Sequence, residues 1–154
     1  MKCRDTSVFR RYFKVLVIGA CAALALVIAI PVLLCFIDAA AAEETLGAYR
    51  LVLDVVTTHV QDKGGTWPRS WEELYGVTPS RRYLTWRWPE DAHRIRKRVE
   101  IDFTLTPADV ASMDAESFSA IRQLGPNYGP EPAQISALLE AVRIRLRDQH
   151  NSLP

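Results

Sequence analysis

The pattern of apolar and polar positions changes character along the chain, and each change predicts a different element. Val15–Ile37, VLVIGACAALALVIAIPVLLCFI, contains no charged residue. Its 23 residues would rise roughly 34 Å as a helix, enough to cross a hydrocarbon core of about 30 Å. From Ala39 to Asp62 the period becomes helical and one-sided. Leu46, Tyr49, Leu53, Val56 and Val60 form a stripe that Val52 and Val55 widen, opposite Glu43, Gly47, Arg50, Asp54, Thr57 and Gln61. No helix breaker separates the two stretches, so they read as one helix bent at Pro31, ending at Lys63-Gly64-Gly65. The width of the stripe favours packing on the protein's own sheet over a coiled-coil seam.

Beyond this helix the periods shorten. Ser70 and Glu73 have the spacing of a capping box, which predicts a short helix stopping near Gly76. Leu84, Trp86 and Trp88 alternate with Tyr83, Thr85 and Arg87; after Pro89-Glu90-Asp91, Ile95, Val99, Ile101, Phe103 and Leu105 alternate with polar residues. The two runs predict an antiparallel hairpin. Thr106-Pro107-Ala108-Asp109 predicts an N-cap with Pro at the first helical position and a helix to about Met113. Asp114 can cap another turn through Ser117, and 118–124 is either a strand or a helix end. The 125–130 stretch, GPNYGP, is a loop. From Pro132 a last helix carries Ile135, Leu138, Leu139, Val142 and Leu146 on one face, with Arg143, Arg145 and Arg147 in its final turns.

Charge orients the apolar run. Of 19 bases and 18 acids, five bases and one acid precede Val15, leaving residues 38–154 with 14 bases, 17 acids and a net −3. Lys and Arg resist translocation, which predicts a cytoplasmic basic stub (1–14), a transmembrane helix (15–37) and an extracytoplasmic domain (38–154). Tyr12, Phe13 and Phe36 suit the interfacial aromatic positions. A cleaved signal peptide, cut at the small residues near Ala42, is the competing reading; the apolar length favours the anchor. Gly19, Cys21, Ala23, Ala25 and Ala29 give small-residue spacings through which spans can self-associate.

Gly65-Thr66-Trp67-Pro68-Arg69-Ser70-Trp71-Glu72-Glu73-Leu74 carries a Gly-aromatic-Pro-x-Ser-x-x-x-Leu turn. Following a membrane helix that runs into an amphipathic one, it resembles type IV pilins and type II secretion pseudopilins over about residues 15–76. The resemblance implies an α+β fold with a long N-terminal helix on a small antiparallel sheet, and a structural role. The chain lacks that family's acid within the apolar helix, having none between Tyr12 and Ile37, and shows no leader-peptidase site.

Chemistry-bearing residues are sparse. All three cysteines (Cys3, Cys21, Cys35) precede residue 38, so the domain has no disulfide framework and no thiolate metal site. His59, His93 and His150 are scattered, and His59 has a helical neighbour in Asp62. No catalytic motif organises them, and no cofactor or metal is expected. The unusual stretch is 81–98, where Arg82, Arg87, Arg94, Arg96 and Arg98 interleave with Trp86 and Trp88. Such a surface suits a polyanion or cell-wall polymer; alternatively the arginines cover the tryptophan rings and pair with Glu90, Asp91, Glu100 and Asp102. An acidic domain outside the cytoplasm excludes general attraction to nucleic acid. The expected function is a membrane-anchored structural or protein-interaction subunit without catalysis, partnered by the bilayer and by other proteins or its own copies through the N-terminal helix. The alternative is a polyanion- or wall-binding module using 81–98.

Overall fold

The structure, a computed structural model, describes the backbone of residues 6–126, 129 and 131–151, and side chains from residue 25 within that set. The chain is α+β. Helix α1 spans Thr6–Asp62, followed by α2 (Trp71–Leu74), α3 (Ala92–Ile95), β1 (Val99–Ile101), α4 (Pro107–Ser112), β2 (Ile121–Gln123) and α5 (Pro132–Asn151). It divides into two compact units, Met1–Ala39 and Ala40–Pro154.

The first unit is helical and carries Pro31 within α1. Its described apolar side chains face outward, from Val32 at 49 % exposure to Phe36 at 69 %. By length and composition α1 is apolar enough to cross a membrane, with a mean hydropathy of 2.5 in its most apolar window. Tyr12, Phe13, Gly19, Cys21 and Ala23 lie outside the described side chains.

In the second unit the C-terminal part of α1 is the centre of the core. The expected stripe is buried: Leu46, Tyr49, Val52, Leu53, Val55, Val56 and Val60 are all 7 % exposed or less. Burial goes further around the helix than the pattern predicts, because Thr45, Ala48, Leu51 and His59 are buried too. On the remaining face two threonines bond back to the helix itself, while Arg50 pairs with Glu131 and Asp54 accepts from Ser80. Thr57 Oγ1 donates to the Leu53 carbonyl at 2.6 Å and Thr58 Oγ1 to the Asp54 carbonyl at 3.0 Å. Ile135, Leu138, Leu139 and Val142 of α5 complete the core, with Leu146 half-buried at its edge.

The helix ends at two glycines with left-handed φ, 63° at Gly64 and 93° at Gly65. Gly65 is required twice over, since a Cβ there would also stand 2.6 Å from the Cβ of Arg145. Helix α2 forms after Ser70, but the capping box does not close. Ser70 makes no cap bond, and Glu73 accepts instead from the Arg69 amide at 2.9 Å. At α4 the expected cap is complete: Thr106 Oγ1 accepts from Asp109 N, Asp109 accepts from Thr106 N, and Pro107 opens the helix.

The sheet is antiparallel but is not the expected hairpin. Residues 83–88 form no strand; β1 pairs instead with β2, in the register Val99↔Gln123, Glu100↔Arg122 and Ile101↔Ile121. Of the two readings of 118–124, the strand is the one realised. The alternation of Leu84, Trp86 and Trp88 fails as a strand because these side chains do not share an environment. Leu84 is fully exposed while Trp86 is buried, and the indoles bond to the backbone of other elements. The second run is also shorter than expected, as Ile95 closes α3 and only 99–101 is extended. Fully burying one Leu or Val stabilises by about 1.5–3 kcal/mol, against about 1 kcal/mol for a ladder hydrogen bond. The three-residue strands are therefore a minor contribution beside the packing around α1. Asn127, Tyr128 and Pro130 of the breaker-rich loop lie outside the described residues.

Candidate interaction surface

The stretch 81–98 wraps the second unit as a loop followed by α3, and its seven candidate residues separate into three groups. The first is centred on Glu44 of α1. Trp86 is buried and donates its indole N–H to the Glu44 carbonyl at 3.2 Å. Arg94 lies over the Trp86 ring at 4.9 Å and reaches the Glu44 carboxylate at 3.0 Å and Asp91 at 3.4 Å. Arg98 bonds the other Glu44 oxygen, and also donates to Thr45 Oγ1 at 3.2 Å and to the Ala41 carbonyl at 3.4 Å.

The second group is an aromatic cluster. Trp88 donates to the Leu74 carbonyl at 3.2 Å and packs near Trp71 and Tyr75, with centroids 6.4 Å and 5.9 Å away. Arg96 covers Trp71 at 5.3 Å and Tyr75 at 5.5 Å, and pairs with Glu72 at 2.7 Å. The hydrogen bond from Arg96, helped by the backbone and Ser70, holds the Glu72 carboxyl down at about 2. Arginines covering aromatic rings, one of the two arrangements open to this sequence, is thus what Arg94 and Arg96 adopt. The carboxylates differ in part from those expected: Asp91 contributes, Glu100 pairs with Arg122, and the main partners are Glu44 and Glu72.

Arg82 and Arg87 form the third group, with Arg81. All three are exposed, and among the described residues their guanidinium groups enter no ion pair. Two of them are held through their backbone amides: Arg81 N donates to Asp54 Oδ2 at 3.4 Å and Arg87 N to Asp91 Oδ2 at 2.9 Å. They line a groove of about 500 Å³ together with Tyr83, Trp86 and Glu90. No local spacing in the sequence separates these three arginines from Arg94, Arg96 and Arg98. The difference depends on Glu44 and Glu72, which lie 24 to 54 residues from their partners.

A second cleft, of about 370 Å³, is lined by His59, Lys63, Thr66, Trp67, Arg69 and Glu73. His59 does not pair with Asp62; it is 3 % exposed and its Nδ1 has no hydrogen-bond partner. Burial pushes its pKa below the usual value, opposed by the nearby charge of Glu73. Among the described residues no three His, Cys, Asp or Glu side chains are grouped to hold a metal ion. Comparison with protein families, with characterised proteins and with solved structures finds no match to this chain.

Proposed function

We propose that this chain is a single-pass membrane-anchored subunit, with its N-terminus in the cytoplasm, whose second unit serves as a structural or protein-interaction module outside it, without catalysis. The observation that carries this reading is the row of outward-facing apolar side chains in the first unit. Leu26, Val27, Ile28, Ile30, Leu33, Leu34 and Phe36 are each more than half exposed along one helix. A soluble protein rarely leaves so extended an apolar surface in water, whereas a lipid bilayer covers it without further partners. The five-to-one excess of bases over acids before Val15 supports the orientation. An apolar helix leading to a unit with a helix at its centre is similar in build to a pseudopilin, which favours assembly with other membrane proteins over an isolated role.

Topology is tested by fusing a reporter that is active only after export behind Pro154, with alkaline extraction of the membranes. Activity in an extraction-resistant fraction is expected. A soluble exported domain beginning near Ala42 would replace the anchor with a cleaved signal, and a reporter active only in the cytoplasm would reverse the orientation. Co-purification from detergent then identifies the assembly, and recovery with pilin-type secretion components would establish the pseudopilin likeness.

A further inference from the structure

The basic stretch separates arginines that hold the fold from arginines that do not. Arg94, Arg96 and Arg98 each have a carboxylate partner, so little of their charge is available to a ligand. Arg81, Arg82 and Arg87 flank Leu84 within three residues along the loop, and Leu84 is 105 % exposed. Among the described residues of the second unit, the other exposed large hydrophobics, Tyr75, Leu124 and Ile144, range only from 37 to 43 %. The loop that carries Leu84 is tethered to α1 on both sides of it. Tyr83 Oη donates to the Arg50 carbonyl at 3.1 Å, and Trp86 Nε1 to the Glu44 carbonyl at 3.2 Å. The loop thus presents one fully exposed apolar side chain in sequence between arginines that, among the described residues, enter no ion pair.

We propose that this loop is a second membrane contact: Leu84 enters the interfacial layer while Arg81, Arg82 and Arg87 hold phosphate groups of anionic phospholipids in the bilayer that carries the apolar helix. The proposal rests on the anchored reading above and adds to it a defined lipid-facing surface. Guanidinium forks match phosphate oxygens in geometry as well as charge. An apolar side chain flanked by cations is the composition of an interfacial contact, whereas a soluble polyanion would give Leu84 no partner.

The test uses the full chain with Cys3, Cys21 and Cys35 changed to Ser and a nitroxide attached through Leu84→Cys. It is reconstituted in nanodiscs of phosphatidylcholine, alone or mixed with phosphatidylglycerol. In the mixed discs the label is expected to be shielded from a water-soluble relaxing agent and accessible to oxygen; in phosphatidylcholine alone the shielding should fall several-fold. Each Arg→Gln change at 81, 82 or 87 should lower the ratio of docked to undocked loop about five-fold. Tryptic cleavage after Arg82 and Arg87 in the unlabelled chain should slow in the mixed discs in parallel. A label equally open to water in both discs, on protein that still floats with them, would overturn the lipid contact alone. Protein that floats with neither disc would overturn the anchored reading and the contact with it.

Discussion

Gly47 of α1 lies against Trp86: a Cβ at Gly47 would stand 3.1 Å from the indole Nε1 and 3.3 Å from Cδ1. The close approach lets the indole reach the Glu44 carbonyl one turn earlier on the same helix. Arg94 covers the ring's other surroundings at 4.9 Å, so the tryptophan is held at once by a hydrogen bond, a cation and the helix backbone. A glycine in a helix interior costs about 0.5–1 kcal/mol relative to alanine, and here the space it leaves is filled by a buried side chain.

Gly47→Ala should therefore fail to deliver its propensity gain. Trp86 is 3 % exposed and has little room to give way. The variant is expected to melt at or below the parent temperature, with tryptophan emission shifted as the indole moves off Glu44. In a Trp86→Ala background the obstacle is gone, and the same change should stabilise by about 0.5–1 kcal/mol. A thermodynamic cycle over the four proteins, from urea titrations of the full chain in detergent, reads the sign reversal. Stabilisation of equal size in both backgrounds would show that the ring adapts freely.

Leu53→Asp tests whether the α1 stripe is core or a seam between copies. Leu53 is 1 % exposed within a single chain, so the variant must bury an unpaired carboxylate or open the packing around it. The cost should reach several kcal/mol, a large part of the 5–15 kcal/mol that small domains possess. Loss of the cooperative melt is expected, read by near-ultraviolet circular dichroism. A variant that melts like the parent but sediments as a smaller species would mean that the stripe joins subunits.

The same helix shows what could be read in advance. Its inward positions were legible because a 3.6-residue period survives any particular packing partner, and Thr106-Pro107-Ala108-Asp109 was legible because a cap is local chemistry. The burial of Ala48 and Leu51 was not, since a small residue and one extra leucine leave the stripe's period unchanged while neighbours close over them. The 83–88 stretch read as a strand because its apolar residues alternate. Its indoles instead bond to backbone carbonyls 14 and 42 residues away, which no short window contains. The candidate surface failed to resolve for the same reason: Arg82 and Arg98 look alike in sequence, and only Glu44 distinguishes them.

His59 predicts a pH dependence. Its folded pKa lies below the unfolded value near 6.5, mainly through burial, so the unfolded chain binds the proton more tightly. Stability from this group is fully present above about pH 6.5 and declines as the pH falls toward the folded pKa. The slope cannot exceed about 1.4 kcal/mol per pH unit for one proton. Urea midpoints of the full chain in detergent, taken from pH 8 to 5, should fall through this window and flatten in His59→Gln. An unchanged profile in the variant would assign the decline to other groups.

Arg143 of α5 offers a further test. Its Nε donates to the Ala111 carbonyl at 2.9 Å and its Nη2 to the Met113 carbonyl at 2.8 Å, so one guanidinium of α5 closes the C-terminal end of α4. A six-residue helix has few internal hydrogen bonds, and its last carbonyls depend on outside donors. The cation also sits where the helix dipole favours it. Removing both bonds with Arg143→Met should cost about 2–3 kcal/mol, because charge-assisted bonds contribute more than neutral ones and the carbonyls are left partly buried. Arg143→Lys keeps the charge but replaces the fork with a single ammonium, which cannot match both acceptors in the same geometry. It should recover only part of the loss. Hydrogen exchange distinguishes local from global opening: the amides of Val110 and Met113, which bond to Thr106 and Val110, should lose protection before those of the α1 core. Lysine protecting these amides as well as arginine would mean that a positive charge at the helix end suffices, and that the two-carbonyl fork is dispensable.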